Sequence, residues 1–503
     1  MISADSTAGR LVSATLLLAL CAAAGISLAF LFDDGCQLDG ALHFLYAKWA
    51  WVHHELFVGV WARPLYTLTY SIPALAGYRA ARLFTVLICL IISWQTWRLA
   101  EDLTSSESIR LLTDANRPLA IILVWLQPSF FLFSADNMTE PVFALVYVIA
   151  LRLHHRGRTM AGMLVASLAI LARPEGFFLG ILWAGWILWD VWRDSSTSKS
   201  STRISRSATI LLLSCGAFLW WLAALVITGD PLFILHNWPS NWPVTGTIYG
   251  APGMLAYPVR LPEIIGPLLL PPFFAGLYHL IKSRKLATLT SSFLLFFVLH
   301  TILRAYGLLG SAGYPRYLIS ISPAIAIITL VGWTRLAELF RHTSKLLRRG
   351  LAVLVIGVSI FLNFTYADGA EWSRDAKAIA AVHARFAGDP RPIVRLIFSQ
   401  PYACIVFDRD PWENPVFTND IRKDLDILRE SPAGTLAVWD DRVGPKWYGL
   451  TANDFERAGF VRLDSQEFSL KGYLLDRSWF GFGGPRAQRI HLLYKTTGTP
   501  TYR

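Results

Sequence analysis

Acidic side chains stand at the ends of several long apolar runs in this sequence. A carboxylate beside an apolar run is costly unless it is solvated or paired, so each one is either a solvated helix end or part of a site. A carboxylate in such a position can act as a general base toward a hydroxyl group. The candidate acids are Asp33 and Asp34, which directly follow the run Leu11–Phe32, and Asp136, Glu140 and Glu175, which stand beside later runs.

Arginines and aromatic residues accompany these acids. Arg304, Arg316 and Tyr317 lie in an aromatic segment broken by glycine and proline, just before another apolar run, and Arg63 lies in the long segment after the first run. A guanidinium group binds a phosphate through two parallel hydrogen bonds, so these arginines could bind a phosphate-bearing substrate. The alternative for Arg316 and Tyr317 is a simple anchor at a membrane interface.

The composition places these residues in a membrane protein. Of the 503 residues, 54% are hydrophobic and only 16% are charged, whereas soluble globular chains average about 25% charged residues. The mean hydropathy is +0.43. These values exclude a soluble enzyme, a disordered protein and a disulfide-rich secreted scaffold. The net charge of +11 forms no basic stripe on a soluble domain, so nucleic-acid binding is not expected.

The apolar runs predict about eleven membrane-spanning helices within residues 1–366. The runs are Leu11–Phe32, Arg79–Leu99, Pro118–Phe133, Pro141–Leu153, Thr159–Leu171, Phe177–Trp192, Ala208–Thr228, Ile264–Ile281, Leu286–Ile302, Tyr317–Leu336 and Gly350–Tyr366. Alternate connections carry 19 and 8 basic residues. The richer set is expected in the cytoplasm, which places the N-terminus inside and the residues after the eleventh span outside. All the candidate acids and arginines then lie toward the outer face of the cell's inner (plasma) membrane.

Residues 367–503 are predicted to form a small, soluble α/β domain outside the membrane. A helical pattern covers Ser373–Ala387, and Thr451–Ala458 is a second, short helix closed by Gly459. Strands are predicted at Ile393–Phe398, Ala403–Asp408, Thr435–Trp439 and Ile490–Lys495.

Four short motifs follow one another in residues 1–366. They are Phe32-Asp33-Asp34-Gly35; Ala62-Arg63-Pro64-Leu65-Tyr66 with Gly77-Tyr78-Arg79-Ala80-Ala81-Arg82-Leu83; Thr139-Glu140-Pro141 with Ala172-Arg173-Pro174-Glu175-Gly176; and Tyr314-Pro315-Arg316-Tyr317 with Pro323. Their order and shared side resemble the GT-C superfamily of glycosyltransferases, polytopic enzymes that use polyprenyl-phosphate-linked sugars. In the order and placement of these motifs, the sequence is most similar to bacterial protein mannosyltransferase-like enzymes and to the aminoarabinose transferase of lipid A.

The resemblance implies a role for each candidate residue. The catalytic carboxylate is Asp34 or Asp33, with Asp34 favoured, and it deprotonates or orients an acceptor hydroxyl. The lipid phosphate is held by Arg316, with Arg304, Tyr317 and Arg63 as further donor-site residues, while Asp136, Glu140 and Glu175 are additional acids of the site. Protein transferases of this kind often carry Asp-Glu where this chain has Asp-Asp, which leaves the acceptor open.

The implied reaction moves a monosaccharide, a mannose-like hexose or a pentose, from a polyprenyl-phosphate donor to an acceptor hydroxyl on a glycan, a lipid or a protein. Membrane lipids are the other expected partners. No metal ligands are predicted, although a divalent cation stays an open question. His53 and His54 are adjacent on one helix and point in different directions, so a shared metal is not expected.

Two other functions compete with transfer. A polymerase or ligase of lipid-linked glycans would also use outer arginines. A flippase or transporter would be expected to have inverted repeats and broken helices with buried charge at mid-membrane. Neither feature is clear in the sequence, so a glycosyltransferase is the favoured interpretation.

Overall fold

The computed structural model describes residues 7–31, 38–105, 112, 116–193, 207–238, 252–339, 342, 344–368, 372–413, 425–470 and 486–496. Two compact units are distinguished by their internal contacts. The first comprises residues 1–29, 54–69 and 82–367, and the second comprises residues 30–53, 70–81 and 368–503. The predicted division at residues 366 and 367 treats the tail alone as the second domain, whereas the contacts group two earlier segments with it.

Helices cover each of the eleven apolar runs, over the part that the structure describes. Before residue 369 the α-helices are Thr7–Leu31, Leu38–Trp49, Pro64–Leu75, Tyr78–Ser105, Leu119–Trp125, Pro128–Phe133, Thr139–His155, Thr159–Ser167, Ala169–Ala172, Gly176–Arg193, Cys215–Thr228, Phe233–His236, Leu261–Ile265, Leu270–Ser283, Ala287–Ala305, Ser322–Leu339 and Lys345–Asp368. Short 3-10 helices lie at His54–Val58, Thr209–Ser214, Pro258–Arg260, Pro267–Leu269, Leu308–Gly310 and Pro315–Ile321.

Fewer helices are long enough to cross a bilayer than the sequence predicts. Among the described residues, six have the length and apolar composition of a span, or seven if a bent pair counts as one. The predicted total of about eleven therefore stays a prediction. The difference arises because several apolar runs are interrupted: Gln127-Pro128 ends one helix and starts the next, and the segments Pro258–Ile265 and Pro267–Ser283 meet at an angle of 99°.

Glycines permit both this bend and a close contact between two neighbouring helices. Gly266, at the bend, has φ +103°, a conformation that side chains with a Cβ rarely adopt. Further along, Gly276 faces Gly332 of the helix Ser322–Leu339. A Cβ added at Gly332 would overlap the carbonyl oxygen of Pro272 and lie 2.5 Å from the Gly276 nitrogen. Small residues at such a crossing let two backbones touch, which is typical of helix packing in membranes.

The second unit contains a four-stranded sheet among its described residues. The strands are β1 (Arg395–Phe398), β2 (Thr435–Asp440), β3 (Phe460–Leu470) and β4 (Arg486–Lys495). Their order is β1-β2-β4-β3; β1 and β2 are parallel, and β4 is antiparallel to both of its neighbours. Three predicted strands and both predicted helices are present, the helices as Trp372–Phe386 and Ala452–Arg457.

Two features of the tail differ from the sequence prediction. Ala403–Asp408 was expected to be a strand, but Tyr402–Val406 is a short α-helix. The prediction was wrong because Pro401, which stands at the N-cap, starts a helix readily, and four to six apolar residues fit either structure. Strand β3 was not predicted, since its polar sequence FVRLDSQEFSL lacks a clear alternation.

The helix Leu38–Trp49 belongs to the second unit and contacts the segment after Val406. Lys48 Nζ lies 2.5 Å from Asp408 Oδ1, and His53 Nε2 lies 2.8 Å from the buried Asp410 Oδ2. The rings of Tyr46 and Trp412 meet edge to face, with centroids 4.8 Å apart. His53 is thus paired with a carboxylate of the tail.

Two buried carboxylates lie where the parallel strands β1 and β2 end. Asp375 Oδ2 accepts hydrogen bonds from Gln400 Nε2 at 3.2 Å and Arg442 Nη2 at 3.0 Å, and Gln400 also donates to Asp440. Burial raises the pKa of Asp375 to about 7; Asp440 adds to this increase, while Arg442 opposes it. The folded chain therefore disfavours the charged form of Asp375.

We expect Gly332→Ala to destabilise the helix crossing. Overpacking typically costs about 1–3 kcal/mol, because the backbones must separate. The control is Gly357→Ala, on a helix where an added Cβ meets nothing within 4 Å; alanine there should be neutral or stabilising. Thermal unfolding of the two purified variants in detergent gives the comparison. Equal midpoints would show that the crossing tolerates a methyl group.

We expect Asp375 to make unfolding depend on pH. Its folded pKa of about 7 lies above an unfolded value of about 3.9. The folded state thus binds more protons, and stability decreases as the pH rises from about 4 to about 7. Asp375→Asn should remove this contribution and flatten the dependence of the unfolding midpoint between pH 5 and 8. Asp426→Asn, at an exposed position, is the control; identical slopes in all three proteins would contradict the assignment.

Candidate active site

Three proline-led helix starts in the first unit carry the charged residues of the candidate site. Glu140 lies in the first turn of the helix Thr139–His155, just before Pro141. Pro174 separates Arg173 from Glu175, at the start of the helix Gly176–Arg193. Arg316 follows Pro315 in the 3-10 helix Pro315–Ile321. Proline fits a first turn because its missing N–H would have no helical partner there.

Glycine lets the second of these starts pack closely. A Cβ at Gly176 would lie 2.7 Å from the carbonyl oxygen of Ala169 and overlap the adjoining peptide atoms. Arg173 itself is extended, with φ −158° and ψ 150°, as expected for a residue before proline. The chain thus reverses tightly between two helices and leaves the side chains of Arg173 and Glu175 side by side.

Arg173 is ion-paired with two buried carboxylates. Its Nη1 lies 2.7 Å from Glu140 Oε1, and its Nη2 lies 2.7 Å from Glu175 Oε1. Nε also donates to Glu175 Oε2 at 3.2 Å, so the contact with Glu175 is bidentate. Nη1 further donates to Thr139 Oγ1 at 3.1 Å. Burial alone would raise the pKa of Glu175, but Arg173 outweighs that effect and the pKa falls to about 2.

Arg316 joins the same network through Glu140. Its Nε lies 3.3 Å from Glu140 Oε1, and its side chain is only 5% exposed. The guanidinium also lies over the ring of Tyr314, with 4.7 Å between Cζ and the ring centroid. Two guanidinium groups therefore approach one carboxylate oxygen, and with Glu175 the network contains two positive and two negative charges.

Aromatic rings form one wall around the charged groups. The guanidinium of Arg173 lies 5.1 Å from the centroid of Tyr317, and the ring of His300 lies 5.1 Å from the same centroid. Tyr257 stacks on His300 at 5.9 Å. His300 Nε2 is 3.6 Å from Glu175 Oε1, which exceeds a normal hydrogen-bond distance.

Arg304 lies one helical turn after His300 and is held by the following loop. Its Nη1 donates to the carbonyl oxygen of Ser311 at 3.3 Å. Gly313 has φ +65°, and a Cβ there would lie 2.5 Å from Arg304 Cδ. The glycine thus permits the loop to close directly over the arginine side chain.

The structure brings together four of the residues singled out from the sequence. Glu140, Glu175, Arg316 and Tyr317 share the network around Arg173. Three others are buried in the same unit: Arg304 beside Ser311, Asp136 whose Oδ1 accepts a hydrogen bond from the Asn137 amide at 2.8 Å, and Arg63 with φ +71°. Asp33 and Asp34 lie outside the described residues.

Sequence reasoning did not assign roles to Arg173, His300 or Tyr257. Arg173 was visible as the first residue of Arg-Pro-Glu-Gly, and its distance of two residues from Glu175 could have indicated a pair. His300 lies four residues before Arg304, on the same helix face, but a single histidine in an apolar run gives no further signal. Tyr257 stands in a segment without a recognisable pattern.

Within the part of the chain that the structure describes, no three His, Cys, Asp or Glu side chains are grouped so that they could hold a metal ion.

Comparisons with known proteins identify the fold. The crystal structure of ArnT from Cupriavidus metallidurans in the apo state has a TM-score of 0.60 to this chain and is 12% identical in sequence. The similarity covers 95% of this chain and 98% of ArnT, so it extends beyond residues 1–366, to which the sequence resemblance was limited. The chain therefore shares its overall fold with ArnT. No protein family and no curated protein matches the sequence.

We expect the Arg173 ion pairs to dominate the stability of this region. Arg173→Met leaves Glu140 and Glu175 buried without their main partner, which should cost about 3–5 kcal/mol. Adding Glu140→Gln and Glu175→Gln to that variant removes the buried charges and should restore part of the loss. Thermal unfolding in detergent measures both effects.

The control for this experiment is an exposed ion pair. Arg429 Nη1 lies 2.9 Å from Asp426 Oδ1, with both side chains more than half exposed. Arg429→Met should change stability by less than about 1 kcal/mol. If Arg173→Met unfolds at the same temperature as Arg429→Met, the buried pairs contribute no more than a surface pair does.

Proposed function

We propose that this chain is an integral-membrane glycosyltransferase that moves a monosaccharide from a polyprenyl-phosphate donor to an acceptor hydroxyl at the outer face of the membrane. The observation that carries the proposal is the buried network in which Arg173 and Arg316 meet Glu140. In a GT-C-type fold, two guanidinium groups placed side by side suit the recognition of a lipid-linked phosphate, because each carries planar N–H donors. The solved neighbour ArnT, a lipid A aminoarabinose transferase, supports the same class of donor.

Arg316 is the proposed ligand of the donor phosphate. A guanidinium has five N–H donors in one plane, so a contact with Glu140 through Nε is compatible with a bidentate contact to phosphate. The ion pair and the Tyr314 ring restrict the guanidinium to one orientation. Such a preformed donor group stabilises the charge that develops on the leaving phosphate without reorganising during the reaction. Arg304, Tyr317 and Arg63 are proposed as further residues of the donor site.

Arg173 and the two acids are proposed to support Arg316 rather than to react. Glu175 has its pKa lowered to about 2, so it stays ionised and paired at neutral pH. A carboxylate held in this way is a poor general base, since its affinity for a proton is low. Glu140 shares Arg173 with it and reaches Arg316, so its role is to orient the phosphate-binding side chain.

The catalytic base is proposed to be Asp34, with Asp33 as the alternative. The carboxylate takes the proton of the acceptor hydroxyl while the hydroxyl oxygen forms a bond to the anomeric carbon of the sugar. The bond from that carbon to the phosphate oxygen breaks, and its electron pair leaves with polyprenyl phosphate. A single displacement of this kind inverts the anomeric configuration, as the family resemblance implies.

The asymmetry of basic residues supports the proposed location. The chain resides in the inner membrane with a cytoplasmic N-terminus, and residues 367–503 lie outside the membrane. The transferred sugar is a hexose or a pentose, and the acceptor is a glycan, a lipid or a protein. Other membrane lipids surround the first unit.

Phosphate recognition is tested by Arg316→Lys. Lysine keeps the charge but lacks the planar fork, so binding of polyprenyl phosphate to the purified protein should weaken about tenfold or more, as expected for a hydrogen bond to a charged group worth ~1.5–3 kcal/mol. Arg335→Lys, at the far end of the Pro315–Leu339 span and partly exposed, should bind as the wild type does. Unchanged affinity in both Arg316→Lys and Arg316→Ala would remove Arg316 from the donor site.

The general base is tested by Asp34→Asn. The amide keeps the size of the side chain but cannot take the proton, so transfer of labelled sugar from polyprenyl-phosphate hexose and pentose donors should fall by about 10²–10⁴-fold. Asp33→Asn should have a smaller effect. Asp39→Asn, in the first turn of the helix Leu38–Trp49, is the matched control. Wild-type transfer rates in Asp34→Asn, Asp33→Asn and the double variant would show that neither acid is the base and would contradict the mechanism.

A further inference from the structure

Arg82 is a completely buried arginine in the first unit, close to the start of the helix Tyr78–Ser105. Only 1% of it is exposed. Burying a guanidinium is costly unless its N–H groups are bound, so a folded chain keeps such a residue only where several acceptors surround it. Among the described acceptors of Arg82 are backbone carbonyls from two segments that are far apart in sequence.

The first segment is the end of the helix Thr7–Leu31. Arg82 Nη1 donates to the carbonyl oxygen of Ala29 at 3.2 Å, and Nη2 points to that of Leu28 at 3.5 Å. Both carbonyls lie in the last turn of this helix that the structure describes, and the last turn carries the negative end of the helix dipole. A guanidinium at this place donates to both carbonyls and compensates their charge.

The second segment leads directly to the candidate site. Arg82 Nε donates to the carbonyl oxygen of Ala135 at 2.6 Å. A tight turn follows, in which the Met138 amide donates to the Asp136 carbonyl at 3.0 Å, and Glu140 is the second residue of the helix that begins at Thr139. A displacement of Ala135 would therefore shift the carboxylate that holds Arg173 and Arg316.

We propose that Arg82 is a positioning residue for sugar transfer, whose guanidinium fixes the end of the helix Thr7–Leu31 against the Ala135–Glu140 segment. This inference rests on the proposed function. In sequence, the helix end directly precedes the proposed base, and Glu140 directly contacts the proposed phosphate ligand. The Arg82 side chain thus sets the position of the proposed base relative to the proposed phosphate ligand. A small misplacement of reacting groups is enough to slow a reaction strongly.

The test is Arg82→Lys, which keeps a positive charge but cannot span carbonyls on two segments with one rigid fork. We expect kcat for sugar transfer to fall at least tenfold while KM for the polyprenyl-phosphate donor changes less than threefold. Arg98→Lys is the matched control, since Arg98 lies toward the other end of the same helix and is partly exposed; its kcat should stay within twofold of wild type. A variant that had merely lost folded protein would lower the amount of active enzyme, so kcat is normalised to the fraction that elutes as folded monodisperse protein.

A second measurement tests, independently of enzymatic activity, whether Arg82 holds the end of the helix Thr7–Leu31. A spin label at the exposed Leu31 should become more mobile in Arg82→Lys than in Arg98→Lys, because the helix end is no longer held. If Arg82→Lys has wild-type kcat and wild-type label mobility, the inference is wrong, whatever the function of the protein. If increased mobility is found but the wild type transfers no sugar, the linkage stands and the proposed function fails. A fall in kcat without increased mobility would also overturn the positioning role.

Discussion

The ion pairs of Arg173 with Glu140 and Glu175 are the interaction on which the arrangement of the first unit depends. Each of these charges is largely removed from water, and a buried charge without a partner would cost several kcal/mol. The chain can bury all three only if the helix start at Glu140 and the turn at Arg173-Pro174-Glu175 meet at one point. Arg316 adds a third helix start to the same point, since its Nε lies 3.3 Å from Glu140 Oε1. The polar network therefore fixes the relative positions of helices whose apolar surfaces could pack in many ways.

The same constraint connects stability with the proposed chemistry. Carboxylates that are saturated by arginines contribute fixed charge and orientation, whereas a general base must be able to accept a proton. Glu140 and Glu175 belong to the first kind, which is why the base is proposed to be Asp34 or Asp33. Arg82 and Gly313 also support the site without a proposed contact to substrate. Arg82 holds the end of the helix Thr7–Leu31, and Gly313 allows a loop to close over Arg304. Rigid support of this kind is what positions a few reacting groups accurately.

Much of the helical architecture could be predicted from the sequence, because long apolar runs have few alternatives to helix. The breaks within those runs were less predictable. Gly266 and Pro267 interrupt the apolar run Ile264–Ile281 with a bend of 99°, and Tyr402–Val406 is a helix where apolar residues suggested a strand. In the site, Glu140, Glu175 and Arg316 were recognisable because charge beside an apolar run is costly. Arg173 was overlooked as the centre of the network, and His300 could not be found, since contacts between distant helices leave no local pattern.

The most direct test of the account is an experimental structure of the full chain with polyprenyl phosphate bound. The account predicts that the phosphate lies within hydrogen-bond distance of the Arg316 guanidinium, on the side where Tyr314 and Tyr317 flank it, and that Arg173 keeps both carboxylate partners. It also predicts that Asp34 or Asp33 faces the space beyond the phosphate, where a sugar would be attached. A phosphate bound away from Arg316, or with Glu140 and Arg316 separated by the ligand, would contradict the claim that this buried network forms the donor site.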